Sequence, residues 1–357
     1  MDFLIAKDDL HRCRFQDAPA PEVGPGQALL RVDRFGLSAN NITYAMFGEG
    51  MSYWSFFPAA EPGWGRMPVW GFAEVMQSEV EQLSPGTRVY GYLPPSSELV
   101  LSPARVDERG FLDASPHRAE LPAAYNAYAR VDADPIYEPH TEDLQMLLRP
   151  LFFTSYLIDD FLAEASMFGA SGAILSSASS KTASGLAFLL SRRAGVEVIG
   201  LTSARSLEFT ASLGVYDRVL TYEEIESLAD TPSVYVDMAG DAQVRSQVHG
   251  HFGAELTHSA VVGATHHDRM GAVPDSLPGP RPTFFFAPDR VAKRTKEWGR
   301  DGFEQRLAEA WRPYVEWCAS WIEVIRGEGP DPLQRAYVDL LDGRIDPAKA
   351  HALSLPR

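Results

Sequence analysis

Cysteine is nearly missing from this chain: Cys13 and Cys318 are the only two in 357 residues. Two thiols cannot make a disulfide framework or a four-cysteine zinc lobe. Long apolar runs are missing too. No segment approaches the roughly 20 uninterrupted apolar residues that cross a bilayer. The opening MDFLIAKDDLHRCRF has neither the basic start nor the apolar core of a secretory signal. Basic residues are outnumbered, 32 Lys and Arg against 48 Asp and Glu, for a formal net charge of -16. Such a surface disfavours nonspecific binding to nucleic acid or an anionic membrane but tolerates a local cationic pocket. The expectation is a soluble protein of the reducing cytoplasm whose partner is a small molecule.

What is present suffices for two cores, since 45% of the residues are hydrophobic in a chain of two-domain length. The first stretch, to about residue 130, carries short β-like runs (Ala28 to Val32, Thr87 to Tyr92, Glu98 to Leu101) between Pro and Gly turns. From Leu144 to about Pro288 helices and strands alternate, as in a parallel sheet covered by helices. A final helical pattern, Phe303 to Ile325, has Trp311, Val315, Trp317, Trp321 and Ile325 at the spacing of a buried stripe. The expected architecture is α/β: a β-rich domain over residues 1–130, completed by 300–357, and a Rossmann-type doubly wound parallel sheet over 131–299.

The most informative stretch runs from Ala173 to Val219. Ala173 to Leu175 is a short apolar strand, Ser176 to Ser180 supplies small turn residues, and Leu186, Phe188, Leu189 and Leu190 give the following helix an apolar face. Gly195, after Arg192 and Arg193, is expected to stop that helix. A second strand, Val196 to Leu201, follows, so the unit is β-α-β. The end of its first strand and the start of its helix form a pocket where backbone N–H groups meet a phosphate. The G-x-G-x-x-G fingerprint is absent. In its place Ser177, Ala178, Ser179 and Ser180 permit close backbone approach, and Lys181 and Thr182 offer a charge and a hydroxyl to a pyrophosphate. The competing reading is a Ser-rich turn that merely caps a helix. The second strand ends in Thr202-Ser203-Ala204-Arg205-Ser206. Hydroxyls and an Arg without an acidic residue suit the ribose 2′-phosphate of NADP(H) better than the diol of NAD, although Ser203 or Ser206 could equally be an N-cap.

These residues resemble the zinc-independent branch of the medium-chain dehydrogenases and reductases, which includes quinone oxidoreductases and enoyl reductases, and the resemblance spans most of the chain. The family's A-x-x-G-x-x-G turn falls on Ala178, Lys181 and Ser184 and agrees only at the first. Gly214 to Tyr222 is similar to the family's G-A-D-x-V-I-x-Y stretch, which brings Tyr222 to the cofactor. Val234 to Gly240 is similar to its fourth strand, Ser259 to Ala264 to its fifth, and Phe284 to Pro288 to the segment closing over the nicotinamide. The resemblance thereby implies cofactor contacts at Gly240, Val262, Gly263 and Phe285. Leu148 to Leu162 resembles the helix around a T-A-Y triplet, which gives Thr154 the nicotinamide side. RVDRFGLSANNITYAMFG resembles the substrate-facing strand and turn, placing Asn41 and Tyr44 there. The resemblance further implies a GroES-like catalytic domain and a homodimer.

For the chemistry, a zinc-free reductase must orient a hydride donor and provide a proton. Tyr44 or Tyr53 is the expected donor, and the Asn41 amide could polarise a carbonyl. A substrate pocket is expected between the domains, with the aromatic segment Tyr44 to Phe57 as its lid; a place in the core is the other reading. The expected activity is NADPH-dependent reduction of a small apolar or aromatic α,β-unsaturated carbonyl or quinone, without a metal. His266, His267 and Asp268 are read as a solvated loop, and His258 as a hydrogen-bonded interior residue. Two rivals remain: a ligand-binding protein on the same fold that has lost the dinucleotide, and a non-redox lyase or isomerase.

Overall fold

A computed structural model of the chain describes residues 1–17, 21–262, 277–344 and 346–356. It divides into two compact units, residues 1–149 with 318–357, and residues 150–317. The division falls about twenty residues beyond both expected domain boundaries, because two long helices, Glu142–Glu164 and Ala287–Ala319, carry the chain across it.

Among the described residues, the first unit is built on a nine-stranded sheet and a three-stranded one. Its longest strands, Ala28–Leu37 and Val69–Ser78, pair antiparallel, and Arg88–Leu93 follows beside the second. Glu98–Leu101 pairs with the first half of Ala28–Leu37. The C-terminal segment contributes two further strands, Glu323–Glu328 and Lys349–Ser354, and the latter pairs with the second half of Ala28–Leu37. The expected helix through Ile325 therefore ends early, at Ala319: Trp321 lies in the turn beyond it and Ile325 in a strand. Trp311 and Val315 do form a buried stripe on that helix, within the second unit.

Among the described residues, the second unit contains one parallel sheet of six strands. In chain order they are Gly172–Leu175, Glu197–Thr202, Arg218–Thr221, Ser233–Asp237, Leu256–Val261 and Thr283–Phe284. Along the sheet the order is third, second, first, fourth, fifth, sixth, the doubly wound arrangement of a Rossmann-type domain. The strands read as near-continuous apolar runs because both faces are covered: Ala173, Ile174, Leu175, Val198, Leu201, Val234, Tyr235 and Val236 are fully buried. Chain order reverses between the first and fourth strands. A ligand of such a sheet binds in the crevice outside the carboxyl ends at that point, which directs attention to residues 176–182 and 238–241.

Candidate functional site

The turn after the first strand is tight because Ser177 adopts a left-handed conformation, φ +51°. Glycine usually takes such positions, and serine tolerates it at a cost of about 1 kcal/mol. The Ser177 N–H donates to the Tyr222 hydroxyl at 3.1 Å and the Ala178 N–H to the Leu201 carbonyl at 3.0 Å, so the bend leans on the second and third strands. A Cβ at Gly200 would come within 2.9 Å of the Ala178 Cβ, which is why the second strand carries glycine there. The helix Lys181–Leu190 then starts with Ser180 as N-cap, its hydroxyl accepting the Ala183 N–H at 3.2 Å. It ends at Leu190, before Gly195, whose φ of +79° serves the turn that follows.

The family's third turn position falls on Ser184 in the sequence, but the close approach belongs to Gly185. A Cβ there would lie 2.9 Å from the Ser155 Oγ, so this glycine lets the helix Lys181–Leu190 pack against Glu142–Glu164. Ser155 fixes the contact by donating to the Thr182 carbonyl at 2.7 Å. Thr154, one residue earlier, directs its hydroxyl to the Pro150 carbonyl of its own helix at 3.4 Å.

At the end of the fourth strand lies a buried polar cluster that sequence reading missed. The Ser176 hydroxyl donates to Asp237 Oδ1 at 2.9 Å and accepts the N–H groups of Met238 and Ala239 at 3.0 and 3.1 Å. Asp237 Oδ1 also takes the Gly240 N–H, and its Oδ2 pairs with Arg245 Nε, both at 2.9 Å. Ser176 and Asp237 are fully buried and Arg245 is 3% exposed. Asp241 caps the next helix, Ala242–Phe252, by accepting from Gln243 and Val244. A signal was available: Val244, Val248 and Phe252 mark that helix's buried face, and Arg245 adjoins it, so a buried cation needed a carboxylate.

The second strand's end supplies Thr202, buried, with its hydroxyl 3.5 Å from that of Ser179. Ser203 and Arg205 are exposed beyond it. Tyr222 is half-buried against the turn, and burial pushes its phenol up to about 12. Gly240 is buried beside Asp237, and the Val262 N–H donates to the Asp237 carbonyl at 2.9 Å. Gly263, His266, His267 and Asp268 lie outside the described residues. Phe285 is packed against Phe161, with ring centroids 5.8 Å apart, while Phe284 and Phe286 beside it are exposed. His258 is half-buried and stacks on Phe168 at 4.1 Å, but its Nε2 finds no hydrogen-bond partner among the described residues.

In the first unit the residues expected to act on substrate are committed to packing. Asn41 is the N3 residue of the helix Ala39–Met46: its Oδ1 accepts the Ser38 N–H at 2.8 Å and its Nδ2 donates to the Pro68 carbonyl at 3.1 Å. The amide is thus a capping group with both ends engaged. The Tyr44 hydroxyl accepts from Asn40 and, at 3.4 Å, from Trp70, and burial raises its phenol to about 12. Burial raises Tyr53 as well. Tyr44, Tyr53, Trp54, Phe56 and Phe57 are all core residues, so the aromatic segment is not a lid. Of the large side chains there only Met51 is exposed.

Residues 35–346 match the family described as "Protein of unknown function (DUF2855)". No curated protein matches the chain. Among solved structures, CurA from Vibrio vulnificus in complex with NADPH is similar over 97% of this chain and 94% of its own, at 14% identity and a TM-score of 0.57. The yhdH oxidoreductase from Salmonella enterica, in complex with NADP, is similar over 100% of both chains at 15% identity and a TM-score of 0.55. The quinone oxidoreductase from Thermus thermophilus, solved also with NADPH, is similar over 99% of both at 15% identity and a TM-score of 0.53. At such identities the likeness is one of fold: this chain has the fold of the medium-chain quinone and enoyl reductases.

Proposed function

The chain belongs to the DUF2855 family, and from its fold and strand-end turn we propose that it is an NADP(H)-dependent, metal-free oxidoreductase that reduces an α,β-unsaturated carbonyl or a quinone. The carrying observation is the left-handed Ser177 bend at the reversal point of a 3-2-1-4-5-6 parallel sheet, followed at once by a serine-capped helix. The residues fit the group. Small side chains at 177–180 leave the backbone approachable, the N-terminal end of Lys181–Leu190 carries the positive pole of the helix dipole, and Lys181 adds a cation. Ser203 and Arg205 stand beyond the second strand with no carboxylate between Thr202 and Leu207, which suits a 2′-phosphate. Bound there, the nicotinamide would supply the hydride. The chain's own part is to hold the nucleotide and keep water away from it.

Titrating the protein with NADPH and NADH while following tryptophan fluorescence tests this reading. Saturable quenching by NADPH, weaker with NADH, is expected. Arg205→Ala should weaken NADPH by about 10- to 100-fold, the loss of one or two charge-assisted hydrogen bonds, and barely affect NADH. If neither nucleotide binds, the assignment is wrong. A ligand-binding protein without hydride transfer is then the better account, a reading that the engaged amide of Asn41 favours.

The proposed assembly is a homodimer joined at the sheet edge formed by Thr283–Phe284. Phe284 and Phe286 are 69% and 51% exposed there while Phe285 between them is buried, and an edge of this kind pairs readily with its own copy. Phe284→Asp should shift the species seen by light scattering from dimer to monomer; an unchanged mass would remove the edge from the interface.

A further inference from the structure

We infer that Ser176 is a positioning residue that, with Asp237 and Arg245, preforms the nucleotide crevice; this rests on the proposed NADP(H) reading. The fully buried Ser176 is the first residue of the turn and stands next to the strained Ser177. Its hydroxyl ties the end of the first strand to the end of the fourth through three contacts of 2.9 to 3.1 Å. Asp237 holds that hydroxyl in place, and Arg245 neutralises the Asp237 charge from the next helix. A left-handed non-glycine residue persists only where its surroundings over-determine it, and here the fixed point lies immediately before it. A glycine turn adopts this bend without help; a serine turn needs the clamp.

The clamp also divides the backbone donors. The N–H groups of Met238, Ala239 and Gly240 are bonded to Ser176 or Asp237, and those of Gln243 and Val244 to Asp241. A phosphate is therefore received by the start of the helix Lys181–Leu190 and not by the fourth-strand end, which acts as the rigid wall.

The test compares NADPH affinity in the full-length protein with Ser176→Thr and Ser176→Val, a pair of nearly equal shape that differs in the hydroxyl. Ser176→Thr should bind within about threefold of the parent and Ser176→Val at least about tenfold more weakly, as expected when buried N–H groups lose their acceptor. Ser233→Ala, which removes a buried hydroxyl at the opposite end of the fourth strand, should lower thermal stability without changing affinity. Hydrogen exchange of the parent gives a readout that needs no variant. The amides of Met238 and Ala239 should be protected before nucleotide is added and gain nothing from it, while those of Lys181 and Thr182 gain protection. Equal affinities for the Thr and Val variants, or a nucleotide-induced rise at 238–239, would overturn the clamp while leaving the NADP(H) reading intact. Failure of the parent to bind NADPH would remove both.

Discussion

The two units differ in what surrounds the polar side chains that the sequence singles out. In the first, tyrosine hydroxyls are dissolved among rings: Tyr44 lies 4.7 Å from Tyr53 and 5.6 Å from Tyr92 by ring centroid, and the buried hydroxyls of Tyr90 and Tyr92 find no hydrogen-bond partner among the described residues. In the second, the small groups Ser176, Asp237 and Arg245 are bonded to one another at the sheet's reversal point. Tyr44 and Asn41 look like chemistry in the sequence and are packed in the core, whereas Ser176 looks like a simple turn residue and is bonded to the end of the fourth strand. Residue type announces reactivity, but only the partners of each atom decide whether it is available.

Each unit also contains a buried ion pair, which allows the sharpest comparison. Arg118 and Asp113 are paired at 2.7 Å in the first unit, with Arg118 over the Phe57 ring at 5.0 Å, and Arg245 and Asp237 at 2.9 Å in the second. Removing one partner of such a pair leaves an uncompensated charge and should cost about 3–5 kcal/mol. Arg118→Leu and Asp237→Asn are therefore expected to be similarly destabilised in urea. Only Asp237→Asn should also lose NADPH affinity. A loss of affinity in Arg118→Leu would erase the distinction between the units.

Smaller effects follow at the reassigned residues. Asn41→Ala removes a capping interaction and should cost about 1–2 kcal/mol, while Tyr44→Phe should cost at most about 1 kcal/mol. Both should keep nucleotide binding, and Tyr44→Phe should keep reductase turnover of a model quinone. A fall of a hundredfold or more in turnover for Tyr44→Phe would return that phenol to the role of proton donor.

The difference between the units is only partly legible in the sequence. Strand, serine turn, helix and second strand are readable between Ala173 and Thr202 because apolar periodicity and turn chemistry are local. The left-handed bend at Ser177 is not, since serine does not require positive φ and the constraint comes from Ser176, Tyr222 and the fourth strand. The Asp237–Arg245 pair joins a strand end to the following helix, a meeting that only the packing of that helix decides. Aromatic density from Tyr44 to Phe57 carries no information on burial, because a core and a lid use the same rings. The C-terminal stripe misleads for a related reason: Trp321 and Ile325 continue the helical spacing, but Ile325 pairs in a strand instead.

The pH response should be weaker and should fall on the second unit. His249 is fully buried; its Nδ1 faces the Pro278 carbonyl at 2.8 Å, which requires the proton there, and its Nε2 accepts from the Ser259 hydroxyl at 3.0 Å. Burial lowers the pKa of both His249 and His258, even though the Pro278 contact pulls His249 the other way. The unfolded chain therefore takes up protons near pH 6.5 that the folded one refuses. Stability should decline as pH falls from about 6.5 toward the lowered folded values, with no further loss from these groups below them. Urea midpoints at pH 7.5 and 5.5 check this, and His249→Gln should flatten part of the slope.

We propose that a serine bend, supported from beneath, holds a phosphorylated dinucleotide where glycines usually do. Crystals grown with saturating NADPH test it most directly. Diphosphate density is expected against residues 177–182, with the 2′-phosphate beside Ser203 and Arg205. A crevice free of nucleotide, with Tyr222 still bonded to the Ser177 amide, would contradict it.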